Sequence, residues 1–167
     1  MALLGNADIV KTLLAAGASL EVYNEDGITP LIRAIYTYRN DIMKMLVNSG
    51  ANVNRLADHD YSALHHAAWN GNTEVVQLLL DNGARDDDRT DDGNTPLALA
   101  AHGECDDTLQ LLIHRGCCIN NSDKSVLVKL FWGGHREIYL VWLLYIPLRM
   151  SPFLADREVI QKFCAKL

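Results

Sequence analysis

The chain has 167 residues, 49% hydrophobic and 22% charged, with a formal net charge of −6 and a pI near 5.4. This is enough apolar residue to bury a continuous core in one elongated domain, and the acidic balance argues against a binder of nucleic-acid phosphates, which needs a basic face. The longest apolar run, Ile138 to Leu148, is too short to cross a bilayer, and no nucleophile-elbow, phosphate-loop, metal-protease or dinucleotide motif occurs.

Residues 1–23 read as the second half of a helical unit. Gly5-Asn6 precedes a helix carrying Ile9, Val10, Leu13 and Leu14, closed by Gly17-Ala18. Only Met1 to Leu4 stand for a preceding helix, so the chain reads as a fragment, a short isoform or a chain with a missing start. Over 24–56, the turn Asp26-Gly27 leads to Thr29-Pro30-Leu31, a capping hydroxyl ahead of a proline at the first helical position. The inner helix is expected from Pro30 to about Thr37. Tyr38 stands where the next unit has Gly71, so Asn40 is expected to supply the left-handed turn residue. The outer helix is expected to turn Ile42, Met45 and Leu46 inward.

Over 57–89 the pattern is clearest: Ser62-Ala63-Leu64-His65, Ala67-Ala68, a break at Asn70-Gly71-Asn72, and a second run of Val75, Val76, Leu78, Leu79 and Leu80. Gly83-Ala84 stops that run, as glycine does when a helix ends in a left-handed residue. Over 90–121 come Asp92-Gly93, Thr95-Pro96-Leu97 and Ala100-Ala101, with Gly103 one place earlier than Gly71. Asp106 or Asp107 heads a helix whose apolar side is Leu109, Leu111, Leu112 and Ile113. Residues 122–147 keep the plan in weaker form, with Ser125-Val126-Leu127, Leu130-Phe131 and Gly133-Gly134. In 148–167, Ser151-Pro152 opens a helix whose stripe is Val159, Ile160, Phe163, Cys164 and Leu167, read as a cap on the last unit.

The unit recurs at a fixed period. Gly17, Gly50, Gly83 and Gly116 are 33 residues apart, and so are Leu31, Leu64 and Leu97. That period, with a Thr-Pro-Leu-His-like opening, resembles the ankyrin-repeat family from about residue 5 to residue 146. The resemblance implies an all-α fold: an ankyrin-repeat solenoid of stacked helix-turn-helix units joined by short β-hairpin loops. No unit of such an array buries its apolar face alone, so stacking supplies the core. It further implies that the ends of the inner helices look onto a concave groove and that the hairpin tips form its rim.

Five residues after each opening leucine stand Tyr36, Trp69, His102 and Trp132. Stacking the units would line them up as a ladder, rimmed by Glu25, Asp26, Asp58, Asp60, Asp91 and Asp92. Aromatic side chains anchor interfaces and fixed acids select basic partners. The expected function is therefore a non-catalytic protein-protein interaction module that binds a basic, partly apolar segment of another protein. It needs no cofactor and no metal, takes no nucleic acid and does not insert in a membrane. The plainer reading is that one or two of these rings only cover neighbouring repeats. The alternative function is a substrate-recruiting adaptor of a ubiquitin ligase, with the last helix as docking element, although neither a SOCS-box core nor an F-box pattern is present. His65 occupies the family's His position and is expected to bond locally; His66 either faces the groove or packs between units. The acid run Asp86, Asp87, Asp88, Asp91 and Asp92 reads as a solvated loop or a functional field.

Two further expectations concern chemistry. Cys105, Cys117, Cys118 and Cys164 form no C-x-x-C pair and follow no recognisable secretory segment, which suits reduced thiols of an intracellular protein, cytoplasmic or nuclear. The resemblance implies a modification: ankyrin repeats with a leucine eight residues before an asparagine are common substrates of an asparagine hydroxylase, and Leu46 and Asn54 have that spacing, as an ordinary turn asparagine could too.

Overall fold

The computed structural model describes residues 7–117. Seven α-helices follow in order among them: α1 Ala7–Ala15, α2 Pro30–Tyr36, α3 Asn40–Asn48, α4 Ala63–Trp69, α5 Thr73–Asp81, α6 Pro96–His102 and α7 Asp106–His114. A 3-10 turn at Asp58–Asp60 precedes α4. The readings for Met1 to Leu4, for 122–147 with Trp132, and for 148–167 lie outside the described residues.

The inner helices start where capping chemistry requires. The Thr29, Ser62 and Thr95 hydroxyls accept from the backbone N–H of Ile32, His65 and Ala98 at 3.3, 3.3 and 3.2 Å. Pro30 and Pro96 follow their caps directly, where the missing N–H costs nothing. In α4 the cap is reciprocal, because the Ser62 N–H donates back to His65 Nδ1 at 3.1 Å.

Each inner helix pairs with the outer helix that follows it, α2 with α3, α4 with α5 and α6 with α7. Between units, α2 packs on α4 and α4 on α6, while α1, α3, α5 and α7 form the second layer. The inner layer can close up because Ala34, Ala67, Ala68 and Ala100 are fully buried and small. Leu31, Leu64, Leu79, Leu97, Leu109 and Leu112 fill the space between layers. Each is worth about 2 kcal/mol in apolar burial, and no unit could gain that alone.

The outer helices show a different inward stripe from the expected one. In α3 the buried residues are Ile42, Met43, Leu46 and Val47, and Met45 is half-buried. In α7 they are Thr108, Leu109 and Leu112, with Leu111 and Ile113 half-buried. A nine-residue helix offers little periodicity from which to fix its phase. The Thr108 hydroxyl is satisfied by that of Thr73 at 2.9 Å, which ties α7 to α5.

The turns between paired helices correct two expectations. The left-handed residue is Tyr38 in the first, Gly71 in the second and Glu104 in the third, at φ 53°, 68° and 56°. Asn40 is the first residue of α3 rather than the turn residue. The cause is the hydrogen-bond pattern that ends the inner helix. Arg39, Asn72 and Cys105 donate back to Ala34, Ala67 and Ala100, at 2.9, 3.1 and 3.0 Å. That closure puts the same place in the unit into left-handed geometry, whichever residue occupies it. Gly103 serves another need: a Cβ there would lie 2.7 Å from the Trp69 carbonyl oxygen.

The hairpins are minimal. Asn24, Ala57 and Thr90 donate to the carbonyls of Ile28, Tyr61 and Asn94 at 3.4, 2.8 and 3.0 Å, and Leu56–Ser62 is an isolated antiparallel bridge. Neighbouring tips are joined by Asp58 N–H to Asp26 C=O at 3.1 Å and Asp91 N–H to His59 C=O at 3.0 Å. These bonds hold the three tips in a row.

Candidate functional site

The repeat register decides which side chains share the inner face. Tyr36, Trp69 and His102 are the last residues of α2, α4 and α6, so the equivalence read from the sequence is matched by equivalent helical positions. Tyr36 is 42% exposed and Trp69 52%. His102 is half-buried, and its Nδ1–H donates to the Ala98 carbonyl at 2.8 Å. Such exposure of a tryptophan, inside the most regular part of the array, leaves a large apolar area in water. The backbone beneath Trp69 is fixed by the close pass of Gly103 and by the Cys105 thiol, which lies 3.6 Å from the Trp69 carbonyl.

Two residues outside the expected ladder join it. His66 lies 4.5 Å from the Tyr36 ring, tilted by 58°, and stacks on Tyr61 at 5.0 Å and 26°. The Tyr36 hydroxyl and His66 Nε2 are 3.1 Å apart. The sequence signal was available in the same alignment: Arg33, His66 and Leu99 each stand two residues after an opening leucine. His66 thus packs between units, against Tyr36 of the preceding one.

Electrostatics separate the two adjacent histidines from the charged rim. Burial, helped by His65, pushes the His66 imidazole down to about 4, so it is neutral at neutral pH. His65 is fully buried and also lowered, mainly by burial. Its Nδ1 accepts from the Ser62 N–H, so its Nε2 carries the proton and points at the carbonyls of Asp88 and Asn94, 3.1 and 3.2 Å away. This local bonding pins α4 to the next hairpin. Burial raises the Tyr36 hydroxyl; Arg33 opposes that, and Tyr61 and Asp26 add to it.

All six rim acids, Glu25, Asp26, Asp58, Asp60, Asp91 and Asp92, are exposed. Asp26 accepts from the Asn24 amide at 2.8 Å, and Asp91 faces His59 Nδ1 at 3.3 Å. The tip bonds bring them into one acidic edge. Of these acids, Asp26 adds to the upward push on the Tyr36 hydroxyl. Asp106 and Asp107 sit in the first turn of α7 behind an N-cap at Cys105, and neither is the cap. Burial and then Asp106 push the Cys105 thiol up, which leaves a poor nucleophile. Among the described residues no group of three or more His, Cys, Asp or Glu side chains could hold a metal ion, and no helix is long and apolar enough to cross a membrane.

Stacked helix pairs with exposed rings on the inner helices and a row of acidic loop tips make a repeat-built binding scaffold. The family model for ankyrin repeats (three copies) matches residues 1–91 and 62–123, and the chain belongs to the ankyrin-repeat family. No match was found among curated proteins. Ankyrin repeats are generally protein-protein interaction modules and typically non-catalytic.

Proposed function

We propose that the protein is a non-catalytic interaction module that takes a basic, partly apolar segment of another protein along the face formed by Tyr36, Trp69 and His102. The observation that carries this is the 52% exposure of Trp69, on a helix whose other inward residues are almost fully buried. A ring this exposed has area left to bury against a partner, and the acidic tips beside it favour encounter with positive charge. The experiment is a peptide-display selection on the folded chain, with counter-selection on Trp69→Ala. Sequences enriched in Lys or Arg next to aromatic or aliphatic residues are expected. Enrichment of acidic sequences, or of sequences that bind Trp69→Ala equally well, would refute the reading.

A further inference from the structure

We propose that Tyr36, His66 and Tyr61 form a seat for the guanidinium of a partner's arginine side chain, edged by the carboxylates of Asp26 and Asp58. This rests on the interaction-module reading and names the anchor that the module would recognise. Three rings touch in sequence, Tyr36 on His66 at 4.5 Å and His66 on Tyr61 at 5.0 Å. The rings pack on one another, tilted by 58° at Tyr36–His66 and near-parallel at His66–Tyr61, so a ligand is offered the outer faces of the tyrosines rather than a gap between rings. A planar cation suits a platform: it can stack on an aromatic face while its N–H groups reach carboxylates at the edge. A methylated ammonium is better served by rings that enclose it.

Charge favours the same ligand. Asp58 N–H bonds the Asp26 carbonyl at 3.1 Å, and Tyr61 N–H lies 3.4 Å from the Asp58 carbonyl, so Asp58 shares its hairpin with Tyr61 and is tied to the hairpin that leads into α2 and Tyr36. Asp26 acts on the Tyr36 hydroxyl, less strongly than Arg33 does. His66, held neutral by burial at ordinary pH, adds no repulsion at the centre of the platform. One cation is already nearby: Arg33, half-buried one turn before Tyr36, acts on the same hydroxyl and would compete with an incoming charge.

The test uses three blocked pentapeptides with a central arginine, lysine or trimethyllysine between two leucines, titrated into the full chain. NMR reads the ring resonances of Tyr36 and Tyr61 separately from the Trp69 indole N–H. The arginine peptide is expected to shift both tyrosine rings and to bind about three- to tenfold tighter than the lysine peptide. That margin should vanish in Tyr36→Leu and shrink in Asp58→Asn, with circular dichroism unchanged in both. Arg33→Gln should tighten the arginine peptide about twofold by removing a like charge; weaker binding would show Arg33 to be part of the seat and overturn the proposal. Equal affinity for arginine and lysine would reduce the effect to bulk charge and also overturn it. Tighter binding of trimethyllysine would overturn it in favour of an enclosing site. A shift of Trp69 without a shift of either tyrosine would reject the seat alone, and no shift of any of the three would reject the interaction face as well.

Discussion

Acid should weaken this fold well before its carboxylates titrate, through His66. The imidazole has an ordinary value of 6.5 and is pushed to about 4 in the folded chain by burial and by His65. The folded state therefore binds fewer protons than the unfolded state between those values, and stability must fall as pH falls. The full contribution is present above the unfolded value, declines as pH drops through it, and levels off near the folded one. At pH 5 the loss from His66 is about 2 kcal/mol. His65 acts in the same direction, because protonating its Nδ1 would set a second donor against the Ser62 N–H that caps α4. Asp41 and Glu74 are held low by hydrogen bonds and charge from the Ile42 N–H and from Lys44 respectively, so they matter only at lower pH. The assay is urea unfolding of the parent and of His66→Gln at pH 7 and pH 5, with free energies from linear extrapolation. The variant should be weaker at pH 7, because it loses the ring contacts, but should lose about 2 kcal/mol less than the parent between the two pH values. Histidines common to both chains cancel in that difference. Equal losses in parent and variant would show that His66 is accessible to protons in the folded state and refute the reasoning.

Other substitutions test the packing and the turns. Leu79→Ala, at a side chain with 0% exposure, should cost about 2–5 kcal/mol in denaturant unfolding; a change of a few tenths would place Leu79 outside the core between repeats. Tyr38→Gly should stabilise the chain by about 1 kcal/mol, since it relieves a left-handed tyrosine that is mostly exposed. Gly71→Ala should do the reverse by about 1–2 kcal/mol, with its Cβ also 2.7 Å from Cys105 Sγ; the same sign for both changes would contradict the turn account. Asn54 bridges two units, its amide donating to the Gly83 carbonyl at 2.9 Å and accepting from the Arg85 N–H at 2.8 Å. Hydroxylation at its Cβ would leave both bonds in place; if Asn54 is a substrate, mass spectrometry of protein from oxygenated animal cells finds one added oxygen on it. An unmodified Asn54 there would remove the idea.

The helix pairs were legible because their signals are local and repeated. Thr29, Ser62 and Thr95 cap where their hydroxyls can reach, and Gly17, Gly50, Gly83 and Gly116 all take left-handed φ. Tyr38 and Glu104 were not legible as turn residues, because a closing hydrogen bond set their backbone and composition pointed to Asn40 and Gly103. Met43 was missed for Met45 because the helix is short and both are apolar. At the candidate site, the positions of Tyr36, Trp69 and His102 followed from the period. The column of Arg33, His66 and Leu99 gives the place of His66 in the unit, but its contacts with Tyr36 and Tyr61 depend on how one unit leans on the next, which an aligned column does not contain.

The interaction reading stands most directly on Trp69. The measurement is the affinity of Trp69→Ala for a peptide selected on the parent chain, taken with its denaturant unfolding. A Kd weaker by at least about 30-fold is expected, the equivalent of a buried aromatic anchor worth about 2 kcal/mol or more, with unfolding nearly unchanged because the side chain is 52% exposed. An Asp91→Asn, Asp92→Asn double variant should instead slow association and flatten its salt dependence. A Trp69→Ala chain that unfolds readily, yet binds as well per folded molecule as the parent, would show Trp69 to be core and contradict the account.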